Sequence, residues 1–270
     1  AVPPSFANPA VVSVDENGCL NNGTYFHLKS PYDPSHTGSY WLLSQGPVEY
    51  PEVGTRDFTC WKDVYDSLEH DRYSKEYKIV LESDLDFGGY DEENSKCAMA
   101  FIPVGNSHSE IDGAGHSIKN FCHDSSFAGF VTKDYGGIIQ NLVFENAYVR
   151  GDTAGVVAAT FAGSLYNVTV RNSKVTGVYA GGIAGIVKSN VGGGFVSDVE
   201  IASPANCTGA ECNAYLGGIA GLMQIDDATI QDARVQDMNF KRTDASYDVY
   251  AGGIVGNIVL NYDMGRTIGV

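Results

Sequence analysis

A short glycine-rich segment recurs along the chain: Ala180-Gly-Gly-Ile-Ala-Gly, Leu216-Gly-Gly-Ile-Ala-Gly and Ala251-Gly-Gly-Ile-Val-Gly. Looser versions precede it at Thr153-Ala-Gly-Val-Val, Phe127-Ala-Gly-Phe-Val and Phe101-Ile-Pro-Val-Gly. By subtraction of their numbers, Phe101, Phe127 and Thr153 are spaced by 26, Ala180 follows 27 later, and Gly182, Gly218 and Gly253 are separated by 36 and 35. Self-similarity at such a period marks a stack of small units, each too small to bury its own apolar face. The extra residues of the longer steps fall in polar stretches, Ser203-Pro-Ala-Asn-Cys-Thr-Gly-Ala-Glu-Cys and Lys241-Arg-Thr-Asp-Ala-Ser-Tyr.

Between the glycine segments lie runs that alternate apolar and polar residues: Leu142-Val-Phe-Glu-Asn-Ala-Tyr-Val, Val168-Thr-Val-Arg-Asn-Ser-Lys-Val and Val199-Glu-Ile-Ala. A period of two is that of a half-buried strand. Asn141, Asn167 and Asp198 precede these runs, and such residues accept left-handed or turn conformations cheaply. Each unit therefore reads as strand, turn, strand, turn, with no room for a crossover helix. Stacked at about 4.8 Å, equivalent strands of successive units pair in parallel. The expected fold is all-β, a right-handed parallel β-helix (solenoid) with an N-terminal cap containing a short helix, the hand following from that of parallel crossovers. A β-sandwich would place hairpin signals between its strands; Asn17-Gly18 and Asn22-Gly23 lie outside the repeat.

Three regions follow: 1–58, strands and loops packed on the cap; 59–76, a capping helix; and 77–270, the repeats. Trp61, Val64, Tyr65 and Leu68 share one helical face, with Asp57 or Thr59 as candidate N-caps. The start Ala1-Val-Pro-Pro-Ser reads as a mature end, and Met264-Gly-Arg-Thr-Ile-Gly-Val reads as the opening of a further repeat, the chain then being part of a longer protein.

The net charge of −16 repels phosphate backbones and anionic lipid, which disfavours nucleic acid as a partner. No apolar run is long enough for membrane insertion. Six cysteines without Cys-x-x-Cys spacing point to disulfides and an extracytoplasmic setting, secreted or at the cell surface. Cys207 and Cys212 close a short polar loop. Cys97 and Cys122 lie 25 apart, nearly one repeat, which leaves Cys19 and Cys60 to tie the N-terminal part to the helix.

The glycine segments, with Tyr77-Lys-Ile-Val-Leu-Glu-Ser-Asp-Leu-Asp-Phe, Phe101-Ile-Pro-Val-Gly and Ile111-Asp-Gly-Ala-Gly-His-Ser-Ile-Lys-Asn-Phe in that order, resemble the GLUG motif. That motif occurs in bacterial surface adhesins and beside the catalytic domain of some immunoglobulin-A-cleaving metallopeptidases. The resemblance covers roughly residues 58–260 and implies a non-catalytic, adhesin-like segment of a larger surface protein. It carries no catalytic residue over, and the cysteines are more numerous than such repeats lead one to expect.

Candidate chemistry is sparse. His-Glu-x-x-His and Gly-x-Ser-x-Gly are both absent. A polysaccharide-active β-helix enzyme needs clustered carboxylates on one face. Glu145 instead precedes Arg171 by one repeat, an opposite-charge column, and the spacing reveals no acidic one. Asp84, Asp86 and Asp91 flank a glycine-containing loop and are weak calcium candidates, although the EF-hand pattern fails for want of a twelfth-position glutamate. No other cofactor is indicated. Of the 16 tyrosines and two tryptophans, many crowd the first third of the chain. Most of these rings are expected to pack the cap against the first repeat; Tyr32, Tyr40, Trp41 and Tyr50 are the candidates among them for stacking on a host or environmental glycan or protein, and the loops near 203–213 and 241–248 are the other place to look. Recognition by loops on a rigid scaffold, with a purely structural stalk or spacer as the alternative, is the expected role.

Overall fold

A computed structural model describes residues 12–21, 23–29, 39–48, 54–70, 77–103, 109–131, 136–205, 213–225, 228–244 and 246–260. Strand Ile138–Glu145 lies parallel on Ser164–Thr176, which lies in turn on Asn190–Gly192 and Phe195–Ala202. The partner's number is each time greater by 26, as in Asn141 beneath Asn167. Parallel pairing in register sets each side chain beside its partner's on the same face of the sheet, whatever the number of residues in the intervening turns. Trp41, Ile79, Ile111, Ile139, Leu165, Val191 and Ile230 thus occupy successive registers of one column. Leu85, Ile118, Phe144, Val170, Val196 and Val235 form a second. All but the last member of each are buried, and they belong to one continuous core.

Two further parallel ladders run through the same repeats. One joins Phe127–Ala128, Thr153–Gly155, Tyr179–Gly181, Asn213–Gly217 and Asp248–Gly252; the other joins Ala158–Phe161, Ala184–Val187, Ala220–Ile225 and Val255–Leu260. A repeat therefore contributes to three ladders, where the sequence predicts two strand types. The molecule is mostly β, with parallel sheets and one α-helix among the described residues. Two registers differ from expectation. Thr153 pairs with Tyr179 and Ala154 with Ala180, so this step of 26 equals the preceding one and is one shorter than the expected 27. Phe101–Pro103 forms no strand; Phe101 packs instead on Trp61, Phe87, Phe121 and Phe130.

The long strands bend at left-handed residues, and these stack as well. Asn120, Asn146, Asn172, Asp198 and Asp237 have φ between +49° and +57°; a second series, Asn141, Asn167, Gly193 and Asp232, lies five residues upstream of the last four, with φ between +50° and +65°. Asn and Asp tolerate this region better than other residues bearing a Cβ. Asn167 Nδ2 donates to Asn141 Oδ1 (3.1 Å), Asn141 Nδ2 to Asp112 Oδ1 (3.2 Å) and Asn120 Nδ2 to Asp86 Oδ1 (3.0 Å), so the corners are linked from repeat to repeat.

At the N-terminal side, Thr24–Lys29 pairs antiparallel with Ser39–Pro47 and Thr55–Phe58, and Ser39–Pro47 joins the parallel stack through Tyr77–Leu81. Helix Trp61–His70 buries Trp61, Val64 and Leu68, with Tyr65 partly buried. Cys60, at its start, is bonded to Cys19. Asp57 does not cap the helix: its Oδ1 lies 2.7 Å from His27 Nδ1, while His27 Nε2 lies 3.0 Å from Gly46 O, tying three strands together. Thr59 Oγ1 lies 3.7 Å from Cys60 Sγ.

The paired glycines meet two separate steric demands. A Cβ on Gly217 would stand 1.9 Å from Ala220 O of its own turn; one on Gly218 would stand 2.1 Å from Gly253 O of the next repeat. A Cβ on Gly253 meets nothing within 4 Å. Gly218→Ala is therefore expected to cost about 3 kcal/mol or more in denaturant unfolding, and Gly253→Ala less than about 1 kcal/mol. Equal losses at the two positions would contradict close packing between repeats as the reason for the motif.

Candidate functional site

The residue before each glycine pair's apolar neighbour points away from the core, because its successor points inward: Ala180 and Leu216 are fully buried. In three consecutive repeats that outward residue is tyrosine. Tyr179 pairs in register with Tyr215, and Tyr215 with Tyr250. Their rings stack with centroids 5.6 and 5.3 Å apart and planes 9° and 14° from parallel. Tyr250 is 48% exposed. The column continues upstream through buried Thr153 to Phe127, which is 41% exposed. Two residues before Tyr215 and Tyr250, on the same side of their strands, Asn213 pairs with Asp248.

Both polar insertions enter the ladder just before these tyrosines, and their described parts clasp each other. Ser203 N donates to Lys241 O (2.9 Å), Thr243 N donates to Ser203 Oγ (3.1 Å), and the buried Tyr247 hydroxyl donates to Pro204 O. Arg242 Nη2 donates to Tyr247 O (2.7 Å). The insertions thus extend the stacking, and Tyr215 and Tyr250 project from a braced surface.

The aromatic candidates of the N-terminal region fare differently. Trp41 is 4% exposed, since it heads the column continued by Ile79 and Ile111, and the Arg56 guanidinium covers its ring at 5.0 Å. It is a core residue, in keeping with the packing reading of the N-terminal aromatics and not with its candidacy as a ligand contact. Tyr40 is partly buried. Tyr32, Tyr50, Cys207 and Cys212 lie outside the described residues.

The calcium candidates are engaged by the chain itself. Asp84 accepts from Ser117 N (2.8 Å) and Lys119 Nζ (2.6 Å); partial burial would raise its pKa, but these donors hold it below the ordinary carboxylate value. Asp86 Oδ1 accepts from Gly88 N and Asn120 Nδ2, and Asp91 accepts from Asn94 N and Nδ2. Among the described residues no three His, Cys, Asp or Glu side chains are grouped to hold a metal.

Other outward carboxylates are paired too. Lys119, Glu145 and Arg171 form a column of alternating charge, with Arg171 Nε 3.2 Å from Glu145 Oε1. Glu110 accepts from Lys78 Nζ (2.8 Å) and Gln140 Nε2 (2.7 Å). One acidic column does exist, against expectation: Asp198 stands in register with Asp237. The step that aligns them is longer than those of the glycine segments. Both hold left-handed corners, at φ +54° and +51°.

A second disulfide, Cys97–Cys122, ties hairpin Tyr90–Asp91/Lys96–Cys97 to the stack, and the Tyr90 ring lies on that of Tyr148 with centroids 3.9 Å apart. No family model matches the chain, and no curated protein or solved structure resembles it significantly.

His123 stands at the foot of the inward column Val149–Val175–Ile201–Phe240 and is 7% exposed. Burial lowers its pKa below the ordinary 6.5, against a smaller opposing effect of its contact with Gly129 O. The unfolded chain takes up this proton first on acidification, so stability is full above about pH 6.5 and falls as the pH drops towards the folded-state value. Between pH 7.5 and 5 the wild type is expected to lose more denaturant stability than His123→Leu. Parallel pH profiles would show that His123 is not a buried neutral base.

Proposed function

We propose that the chain is a right-handed parallel β-helix of the GLUG type, serving as a non-catalytic recognition segment of an adhesin-like surface protein. The architecture is supported by three parallel ladders sharing the same repeats, by the step of 26 that recurs in all three between Phe127 and Ala202, and by apolar columns continuous from Trp41 to Ile230. The antiparallel strands and helix Trp61–His70 at the N-terminal side suit a cap, which an exposed first repeat requires. Two disulfides accord with an oxidising, extracytoplasmic setting. No helix among the described residues is long and apolar enough to cross a membrane.

The observation that carries recognition is the outward column Tyr179–Tyr215–Tyr250, half-buried at Tyr179 and Tyr215 and exposed at Tyr250, beside the two clasped insertions. Tyrosine offers rigid contact area and a hydrogen-bonding tip at low entropic cost. A stalk or spacer is the second reading, favoured by the self-satisfied charge column Lys119–Glu145–Arg171 and the asparagine links, whose polar groups bond to one another along the stack. The paired carboxylates Asp84, Glu110 and Glu145 argue against the polysaccharide-active alternative, which would have to rest on the Asp198–Asp237 column alone.

Screening the chain on an array of glycans and extracellular proteins, in calcium and in chelator, separates the readings. Reproducible binding, equal in both buffers because Asp84, Asp86 and Asp91 are already engaged, is the expected result. Silence across the array would contradict recognition and leave the stalk.

A further inference from the structure

We propose that the Tyr179–Tyr215–Tyr250 column is the binding track for an uncharged, extended glycan that runs along the stacking direction, one sugar ring per repeat. The proposal rests on the recognition reading above and names its ligand class.

The ring geometry comes first. Carbon faces in contact sit about 3.5–4.0 Å apart, whereas these parallel rings have centroids 5.3–5.6 Å apart. The rings are therefore not pressed face to face at contact distance, and Tyr250, 48% exposed, presents ring surface to solvent at the end of the column. Uncovered aromatic faces carry negative charge density and attract the weakly positive C–H groups of a sugar ring.

Polar complement comes second. Asn213 and Asp248 project on the same side of their strands as Tyr215 and Tyr250. An amide, a carboxylate and phenol hydroxyls side by side both donate and accept, as sugar hydroxyls do.

Charge decides between glycan classes. Strands Tyr179–Gly181, Asn213–Gly217 and Asp248–Gly252 contain no Lys or Arg, Asp248 lies in the track, the neighbouring Arg242 donates to Asp244 O and Tyr247 O, and the chain carries −16. A uronate or sulfated polymer would be repelled.

Period decides between glycan and peptide. Side chains on one face of an extended peptide recur about every 6.6 Å, two residues at about 3.3 Å each. That falls out of step with rings 5.3–5.6 Å apart. An extended chain of equatorially linked pyranoses advances by one ring length per residue, much closer to the track.

Titration calorimetry of the full chain with neutral β-1,4-linked oligosaccharides (cello-, xylo- and N-acetylchito-series, two to six residues) tests this, with oligogalacturonates as the anionic comparison. At least one neutral series is expected to bind, with affinity rising to three or four residues and then levelling. Tyr215→Ala is expected to weaken binding about tenfold, and Tyr215→Phe, which keeps the stack, by a smaller factor. Should Tyr215→Ala lose its native circular dichroism, the more exposed Tyr250→Ala takes its place with the same expectation. No heat with any neutral series, preference for the anionic series, or undiminished affinity in a folded tyrosine variant would each overturn the proposal. A ligand found on the array that binds the tyrosine variants as well as wild type would overturn the track and leave recognition standing. Silence on the array as well would remove both.

Discussion

Successive repeats can pair only as closely as their turns allow, and at the second glycines Gly182 and Gly218 a Cβ would strike a carbonyl oxygen of the next repeat. Gly218 against Gly253 O, and Gly182 against Gly218 O, are the contacts that permit this approach. The rest follows from it. With the turns in contact, equivalent strands pair backbone to backbone, the apolar alternation becomes columns, and the left-handed asparagines fall one above another. The same stacking aligns what points outward, giving a column of alternating charge at Lys119, Glu145 and Arg171 and a column of tyrosines at 179, 215 and 250.

Much of this is legible in the sequence because glycine's steric role and the two-residue alternation recur at a fixed period. Asn141, Asn167 and Asp198 are recognisable as turn residues, and all three have positive φ. The parallel series Asn120, Asn146 and Asn172 recurs at the same step and is equally open to reading. It escapes notice because it lies inside runs that look like uninterrupted strands. The off-by-one step at Thr153 arises from matching it to Ala180 rather than to Tyr179. Phe101 shares the repeat's local pattern yet serves an aromatic cluster with Trp61, Phe87, Phe121 and Phe130, which only tertiary packing reveals.

The site is less legible than the scaffold. Aromatic density draws attention to the N-terminal third, but density does not say which side of a strand a ring occupies, and Trp41 faces the core. The signal for the tyrosine column is present: Tyr179, Tyr215 and Tyr250 are 36 and 35 apart, the same steps as the glycines that follow them. Register converts that coincidence into a surface. The acidic pair Asp198 and Asp237 is hidden for the converse reason, since its step follows the long bent strands rather than the glycine turns.

If each repeat is an interchangeable unit, removing one whole step should leave a foldable chain. Deleting 147–172 joins Asn146 to Ser173, a left-handed asparagine in the place of its equivalent Asn172, and keeps every later strand in register. Deleting 147–171 instead leaves one extra residue at the junction and puts the strand segment that follows one residue out of register, its inward side chains facing outward. Circular dichroism and denaturant unfolding of the two variants test the central claim directly. The in-register deletion is predicted to keep β structure and a single cooperative transition, and the deletion shorter by one to lose both. Similar behaviour of the two would contradict in-register stacking as the basis of the fold.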